Sequence, residues 1–320
     1  MNIIINTFCN LHCPYCFADD AKEEYGKNIM PLENFKLCLE WLKMNKDTNI
    51  QIIGGEPTIN PNFKEYCNLI LEEKFFKELM IFTNGLFSDD ICDYLISISE
   101  KIKLSFLFNV NDPEWLGQKR YQQLKKNLYK LYLKAGFSIG INLYSSKQNY
   151  EYIVDLADEL GIDYIRFSLT IPNAEANLND FKKHYNENKQ NLINLFKYAA
   201  YKHIQLYQDC NSIPLCFIEK DDLIELLKWY PDLFEKITCD KMVLDVAPDL
   251  KIYKCFAFTN PEEAPLLIEF KTYEDISHYF NQKFKEIKQA KLTDQCGDCG
   301  TYLLKGQSCG CWKYRASNRC

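Results

Sequence analysis

No run of eighteen apolar residues occurs in this 320-residue chain, and its start, Met1 to Phe8, lacks the charged segment and long apolar stretch of a secretion signal. Neither a spanning helix nor export is expected, and the protein is placed in the cytoplasm, with no membrane partner. Positive charge is also scarce. Lys and Arg number 38 against 44 Asp and Glu, a net charge of -6, and no basic cluster stands out. A nucleic-acid backbone would find no electrostatic footprint here, so no nucleic-acid partner is expected. There is no internal repeat, no low-complexity linker and no tail of like charges. What remains is a folded chain whose 47% hydrophobic and 26% charged residues suffice for one large core, or a core with a smaller appended domain.

What the sequence does have is cysteine, fifteen in all. A chain of this length without a secretion signal keeps its thiols reduced, and reduced, clustered thiols most often bind metal. Cys38, Cys67 and Cys92 sit singly in helical patterns and read as buried core residues. The other twelve crowd into the first sixteen residues and the region after Gln208.

Apolar runs of strand length alternate with longer amphipathic stretches. Strands are predicted at residues 2–7, 50–53, 79–82, 102–108, 137–143 and 164–169, and helices at 32–44, 62–74, 89–99, 118–134 and 151–160. Gly161 stands where a helix C-cap is expected. Six strand and helix units with short connections predict a parallel α/β sheet, open or closed into a barrel, with its working face at the C-terminal strand ends. A long helical pattern over 181–201, a further strand at 204–207 and a helix at 221–229 follow. From Cys239 the chain is punctuated by cysteine, with a hairpin expected around Pro248 and Asp249. The expected division is 1–205, a bridging segment 206–238, and a second, metal-stapled domain 239–320.

The first motif is Cys9-Asn-Leu-His-Cys13-Pro-Tyr-Cys16, directly after the first strand. Three thiolates on one loop take three corners of a cubane cluster and leave one iron open, a position that can chelate a small molecule's amino and carboxylate groups and pass an electron into it. Zinc is the competing reading. A second motif, Gln51-Ile-Ile-Gly-Gly-Glu-Pro-Thr58, ends the second strand, and Phe82-Thr-Asn-Gly85 ends the third. Glycines at a strand end suit the close approach of a ligand, and Glu56 can accept from its ammonium.

Together these segments resemble the radical S-adenosylmethionine (SAM) superfamily, whose signature is CxxxCxxC with an aromatic before the last cysteine. The resemblance implies a partial (β/α)6 TIM-like barrel, a 4Fe-4S cluster on Cys9, Cys13 and Cys16, and SAM as cofactor. It implies that Tyr15 lies beside adenine and that Gly54, Gly55 and Glu56 bind the methionine amine. Thr83 and Asn84 lie in the matching third-strand ending and join the cofactor-binding candidates. Asn109, Asn142 and Arg166, at or near the ends of strands four to six, stand where the family holds ribose and carboxylate; each could instead cap a loop, and Arg166 could form a structural salt bridge.

The order Cys239, Cys255, Cys296-Gly-Asp-Cys299, Cys309-Gly-Cys311 and Cys320 resembles the SPASM extension of many such enzymes, a small cysteine-rich domain carrying one or two auxiliary 4Fe-4S clusters. The family's ligand order gives Cys296, Cys299, Cys309 and Cys320 to one cluster and Cys239, Cys255 and Cys311 to the other. Leu250 departs from the family pattern, where a glycine precedes the second ligand by five residues, and structural zinc is the alternative for the whole region. The loop from Asp209 to Cys216 has three readings: catalytic, with Cys210 donating a hydrogen atom or Asp209 taking a proton; a buried turn fixed by Pro214; or a supply of cluster ligands.

The chemistry so implied is an oxidoreductase's, with reductive SAM cleavage and hydrogen abstraction from substrate. The resemblance points to a ribosomally made peptide, modified by thioether or carbon-carbon crosslinking or by epimerisation. Because the chain begins at the first strand, leader recognition would fall to the barrel, the SPASM region or a separate leader-binding protein. An electron donor such as flavodoxin or ferredoxin is expected. Alternatives are oxidation of a small molecule or of a sulfatase-type residue, and a non-catalytic iron-sulfur or zinc protein.

Overall fold

The structure, a computed structural model, describes residues 1–16, 28–170, 177–209, 213–231, 243–255 and 261–291, with Cys296, Asp298 and Leu303. In chain order its regular elements are β1 (Asn2–Ile4), α1 (Leu32–Met44), β2 (Asn49–Ile53), α2 (Phe63–Glu72), β3 (Glu78–Thr83), α3 (Asp89–Ser99), β4 (Lys103–Asn109), α4 (Pro113–Leu116), α5 (Gln118–Tyr132) and β5 (Gly136–Leu143). These are followed by α6 (Glu151–Leu160), β6 (Tyr164–Leu169), α7 (Leu178–Tyr201), β7 (Gln205–Gln208), α8 (Lys220–Trp229), β8 (Asp245–Val246), β9 (Ile252–Tyr253), α9 (Tyr273–Lys283) and α10 (Lys285–Gln289). Two compact units are formed, Met1–Ser138 with Met242–Ser277, and Ile139–Lys241 with His278–Cys320. Among the described residues no helix is long and apolar enough to cross a membrane.

In the first unit β1, β2, β3 and β4 pair in parallel, and β8 joins the other side of β1, also in parallel, with β9 antiparallel to β8. The expected hairpin thus forms and extends this sheet. Strand alternation puts Ile3, Ile50, Ile52, Leu79, Ile81, Leu104, Phe106 and Phe108 on the face that is fully covered, where α1 contributes Phe35, Leu39 and Leu42 to the core and α2 contributes Tyr66 and Ile70. Each such side chain contributes roughly 1.5–3 kcal/mol on burial. The alternate positions Gln51, Ile53, Met80, Phe82, Leu107 and Asn109 are only half-buried, so the second face stays available.

In the second unit β5, β6 and β7 are parallel. Ile141, Leu143, Ile165, Phe167, Leu169 and Leu206 are buried on one face, whereas Asn142, Arg166 and Ser168 alternate onto the other. Helix α7 begins three residues earlier than its apolar pattern suggests, because Asn177 and Asp180 form a reciprocal capping box. The first strand, predicted over 2–7, ends at Ile4. Beyond it Thr7 donates to Asn28 O (3.0 Å) and Met30 donates to Ile5 O (2.9 Å), drawing the chain out of the sheet and into the loop that carries the cysteines.

Candidate active site

The three-cysteine loop is fixed by backbone contacts with the segment after β2. The Gly55 amide donates to Asn6 O (2.9 Å) and the Glu56 amide to Phe8 O (3.0 Å). Asn6 Nδ2 donates to Phe8 O (2.8 Å) and to Glu56 O (3.2 Å). So closely do the segments run that a Cβ on Gly55 would stand 2.2 Å from Phe8 O, and one on Gly54 2.7 Å from Asn6 O. The protein's own loop approaches both glycines, leaving no room for a Cβ at either.

Glu56 is fully buried. Its Oε1 accepts from the Thr58 amide (3.1 Å), Thr58 Oγ1 (2.6 Å) and Thr83 Oγ1 (2.8 Å), and its Oε2 from the Asn84 amide (2.7 Å). Burial pushes the carboxyl above the usual carboxylate range, against the pull of the hydrogen bonds from Asn84, Thr58 and Thr83. Three of these four donors meet Oε1 and one meets Oε2. In the structure this side chain ties the end of β2 to the end of β3.

Thr83 and Asn84 serve the same junction. Asn84 Nδ2 donates to Asn10 Oδ1 (2.7 Å) and approaches Cys9 Sγ at 3.7 Å, while Asn10 Nδ2 donates to Leu86 O (2.9 Å). Within the loop the Leu11 amide reaches Cys9 Sγ at 3.4 Å, and the Cys16 amide donates to Cys13 O (3.0 Å). Tyr15 donates its hydroxyl to Asn111 Oδ1, anchoring the loop to the segment after β4. Cys9, Cys13 and Cys16 are all half-buried. Burial pushes the Cys13 thiol up to about 11, although the Tyr15 hydroxyl beside it pulls the other way; a metal binding there would release a proton.

Among the described residues no three His, Cys, Asp or Glu side chains converge on a single ion. Corners of a cubane belong to different irons, so cluster ligands need no such convergence, and three half-buried soft donors on one anchored loop fit a cluster.

Of the other expected residues, Asn109 is half-buried at the last position of β4. In the second unit Asn142 Oδ1 accepts from Ser168 Oγ. Arg166 and Asp209, one expected to meet a ligand carboxylate and the other to move a proton, form an ion pair with each other. Cys255 is half-buried after β9, Cys296 is buried and Cys216 is exposed. Cys210, Cys239, Cys299, Cys309, Cys311 and Cys320 lie outside the described residues. Leu250 adopts φ 68°, the left-handed conformation that glycine favours. Asn6, Asn10, Thr58 and Asn111 are participants that sequence reasoning missed. The available signal was polar residues lying inside or beside the motifs, in segments whose neighbours are apolar.

Residues 3–107 match the family model described as the Radical SAM superfamily. The chain is 29% identical over 199 residues to the S-adenosylmethionine-dependent nucleotide dehydratase of Fibrobacter sp., covering 57% of this chain and 59% of that protein. It is 28% identical over 230 residues to the 7,8-dihydro-6-hydroxymethylpterin dimethyltransferase of Methanocaldococcus jannaschii, covering 71% and 38%. It thus spans less than two thirds of the length of these relatives. Among solved structures, native anSMEcpe with bound AdoMet and Kp18Cys peptide is similar at a TM-score of 0.67 and 16% identity, over 97% of this chain and 88% of that one. Streptococcus suis SuiB bound to S-adenosylmethionine gives 0.59 and 18%, over 93% and 70%. These likenesses show the fold, an α/β partial barrel. The family model matches the segment that contains the cysteine loop and both strand-end motifs, so residues 3–107 carry the likeness to the radical SAM superfamily.

Proposed function

We propose that this enzyme binds a 4Fe-4S cluster through Cys9, Cys13 and Cys16 and modifies a peptide. The single observation carrying the reading is the cysteine loop itself, anchored at Asn6, Phe8, Asn10 and Tyr15 to the segments that follow β2, β3 and β4. When bound, the cluster and SAM supply reductive cleavage to a hydrogen-abstracting 5'-deoxyadenosyl radical. Glu56 then acts as a positioning residue, leaving the backbone carbonyls of Gly54 and Gly55 to meet the methionine ammonium. Tyr15, held by Asn111, presents its ring beside the adenine. Asn109, Asn142 and Arg166 take the ribose and carboxylate, Arg166 exchanging part of its contact with Asp209 for the ligand. Cys210 and the released Asp209 are the candidates for hydrogen-atom and proton transfer.

The peptide assignment is supported by anSMEcpe and SuiB, both solved with peptides, the latter as a complex with precursor peptide SuiA. It implies auxiliary clusters on Cys239, Cys255, Cys296, Cys299, Cys309, Cys311 and Cys320, an electron donor such as flavodoxin or ferredoxin, and a leader-binding surface or partner. A second reading, a nucleotide or pterin substrate, is favoured by the curated relatives.

Anaerobic, iron-reconstituted protein with dithionite and SAM should form 5'-deoxyadenosine, and Cys13→Ala should form none. Stimulation by a peptide encoded by a neighbouring short reading frame would support the first reading. Stimulation by nucleoside triphosphate alone would replace it with the second, and equal yields from both proteins would refute the cluster assignment.

A further inference from the structure

We propose that Asn84 is a positioning residue that raises the reduction potential of the cluster by donating its side-chain N–H to the sulfur of Cys9. The inference rests on the reading of the cysteine loop as the cluster site. Its basis is that Asn84 Nδ2 lies 3.7 Å from Cys9 Sγ in a side chain with no freedom to leave.

Every polar group of Asn84 outside its own carbonyl is committed. The backbone amide donates to Glu56 Oε2 (2.7 Å), Oδ1 accepts from the Leu86 amide (2.9 Å), and Nδ2 divides its two hydrogens between Asn10 Oδ1 (2.7 Å) and Cys9. The residue is 8% exposed. Its chain neighbours are equally held: Gly85, at φ 78°, donates to Thr83 Oγ1 (3.0 Å), and Asn127 Nδ2 donates to Gly85 O (2.8 Å) and Phe87 O (2.9 Å). Asn10 Nδ2 closes the ring on Leu86 O (2.9 Å). As a thiol Cys9 also donates toward Asn10 Oδ1 (3.8 Å). As a thiolate it has only acceptor capacity, and the N–H groups of Leu11 and Asn84 are already beside it.

When one electron enters a cluster, part of its charge resides on the thiolate sulfurs, and no proton need move. A fixed N–H donor favours this more negative state over the oxidised one, so it raises the potential; hydrogen bonding to the sulfurs is one of the protein's levers on cluster potential. Buried Glu56 acts further back, since its carboxylate sets the Asn84 backbone from which the amide reaches the sulfur. The Leu11 donor is backbone, and only a proline, which would also restrict the loop's φ, removes it. The Asn84 donor belongs to a side chain, so an ordinary substitution removes it.

The test is a redox titration of the full-length, reconstituted protein, following the electron paramagnetic resonance signal that Cys13→Ala abolishes. Asn84→Leu removes the donor while keeping water from its place, and Asn84→Ala serves if leucine prevents cluster loading; iron content and thermal melting confirm that each variant is folded and loaded. At a fixed potential the reduced-to-oxidised ratio should fall about fivefold, a drop of roughly 40 mV at 59 mV per tenfold for one electron. An unchanged or raised potential in a loaded variant would overturn the inference while leaving the cluster assignment intact. Absence of any signal dependent on Cys13 would instead remove the assignment on which the inference rests.

Discussion

A single methyl group separates Gly55 from a clash with the protein's own backbone. In the Gly55→Ala protein the added Cβ would meet Phe8 O at 2.2 Å, a contact no side-chain motion relieves. The strand end and the cysteine loop must part, at a cost of about 3 kcal/mol. The urea midpoint should fall accordingly, and reconstituted iron should fall with it. Gly136→Ala is the control, because its nearest atom would be Ser105 Cβ at 3.4 Å and both readouts should stay unchanged. The same scale separates what the residues revealed from what they concealed. The glycine pair and Glu56 could be recognised as important from their spacing, but whether they face a ligand or the chain itself depends on Asn6 and Phe8, which no local pattern connects to them. Asn6 illustrates why. It is a fully buried amide just beyond β1, bridging the backbone carbonyls of Phe8 and Glu56.

Helix ends show how far local rules reach. After α6 the chain closes with Gly161 at φ 65°, Gly161 donating to Asp158 O (3.1 Å) and Ile162 to Ala157 O (2.8 Å). This paired closure, readable from the glycine, is repeated after α7 with His203 at φ 59°, where His203 donates to Ala200 O (3.1 Å) and Ile204 to Ala199 O (2.8 Å). Lys46 does the same after α1 at φ 56°, with Lys46 donating to Lys43 O and Asp47 to Leu42 O, both at 3.0 Å. With only 12 glycines in the chain, such ends carry left-handed residues that pay a steric penalty. His203→Gly, at an exposed position, should raise stability by about 1 kcal/mol, measured as a higher urea midpoint at unchanged slope; no change or a fall would show that the helix end is not strained. Strands and helices of the first six units were legible because their apolar periods are uncontradicted by breakers, and α1, α3, α6 and β6 match their predicted limits. The early end of β1 was not, since it is set by pairing with residues 28–30 rather than by any change in β-propensity.

Over the whole molecule the functional groups divide between two compact units. The first contains the cysteine loop, the glycine-rich turn and the β3 end, all joined by hydrogen bonds that close on Glu56 and Asn84. The second carries Asn142, Ser168, Arg166 and Asp209 on strands β5 to β7 and the residue that follows. Charge and composition pointed away from nucleic-acid recognition but gave no substrate, since substrate choice depends on side chains gathered from several strand ends. The cluster is therefore the claim on which the rest depends. Its most direct test is the iron and acid-labile sulfide content of the anaerobically reconstituted protein, compared with a variant carrying Cys9→Ala, Cys13→Ala and Cys16→Ala together. The account predicts that the variant holds about four fewer irons per chain, with matching sulfide; equal iron in both proteins, or zinc in place of iron at the three cysteines, would contradict it.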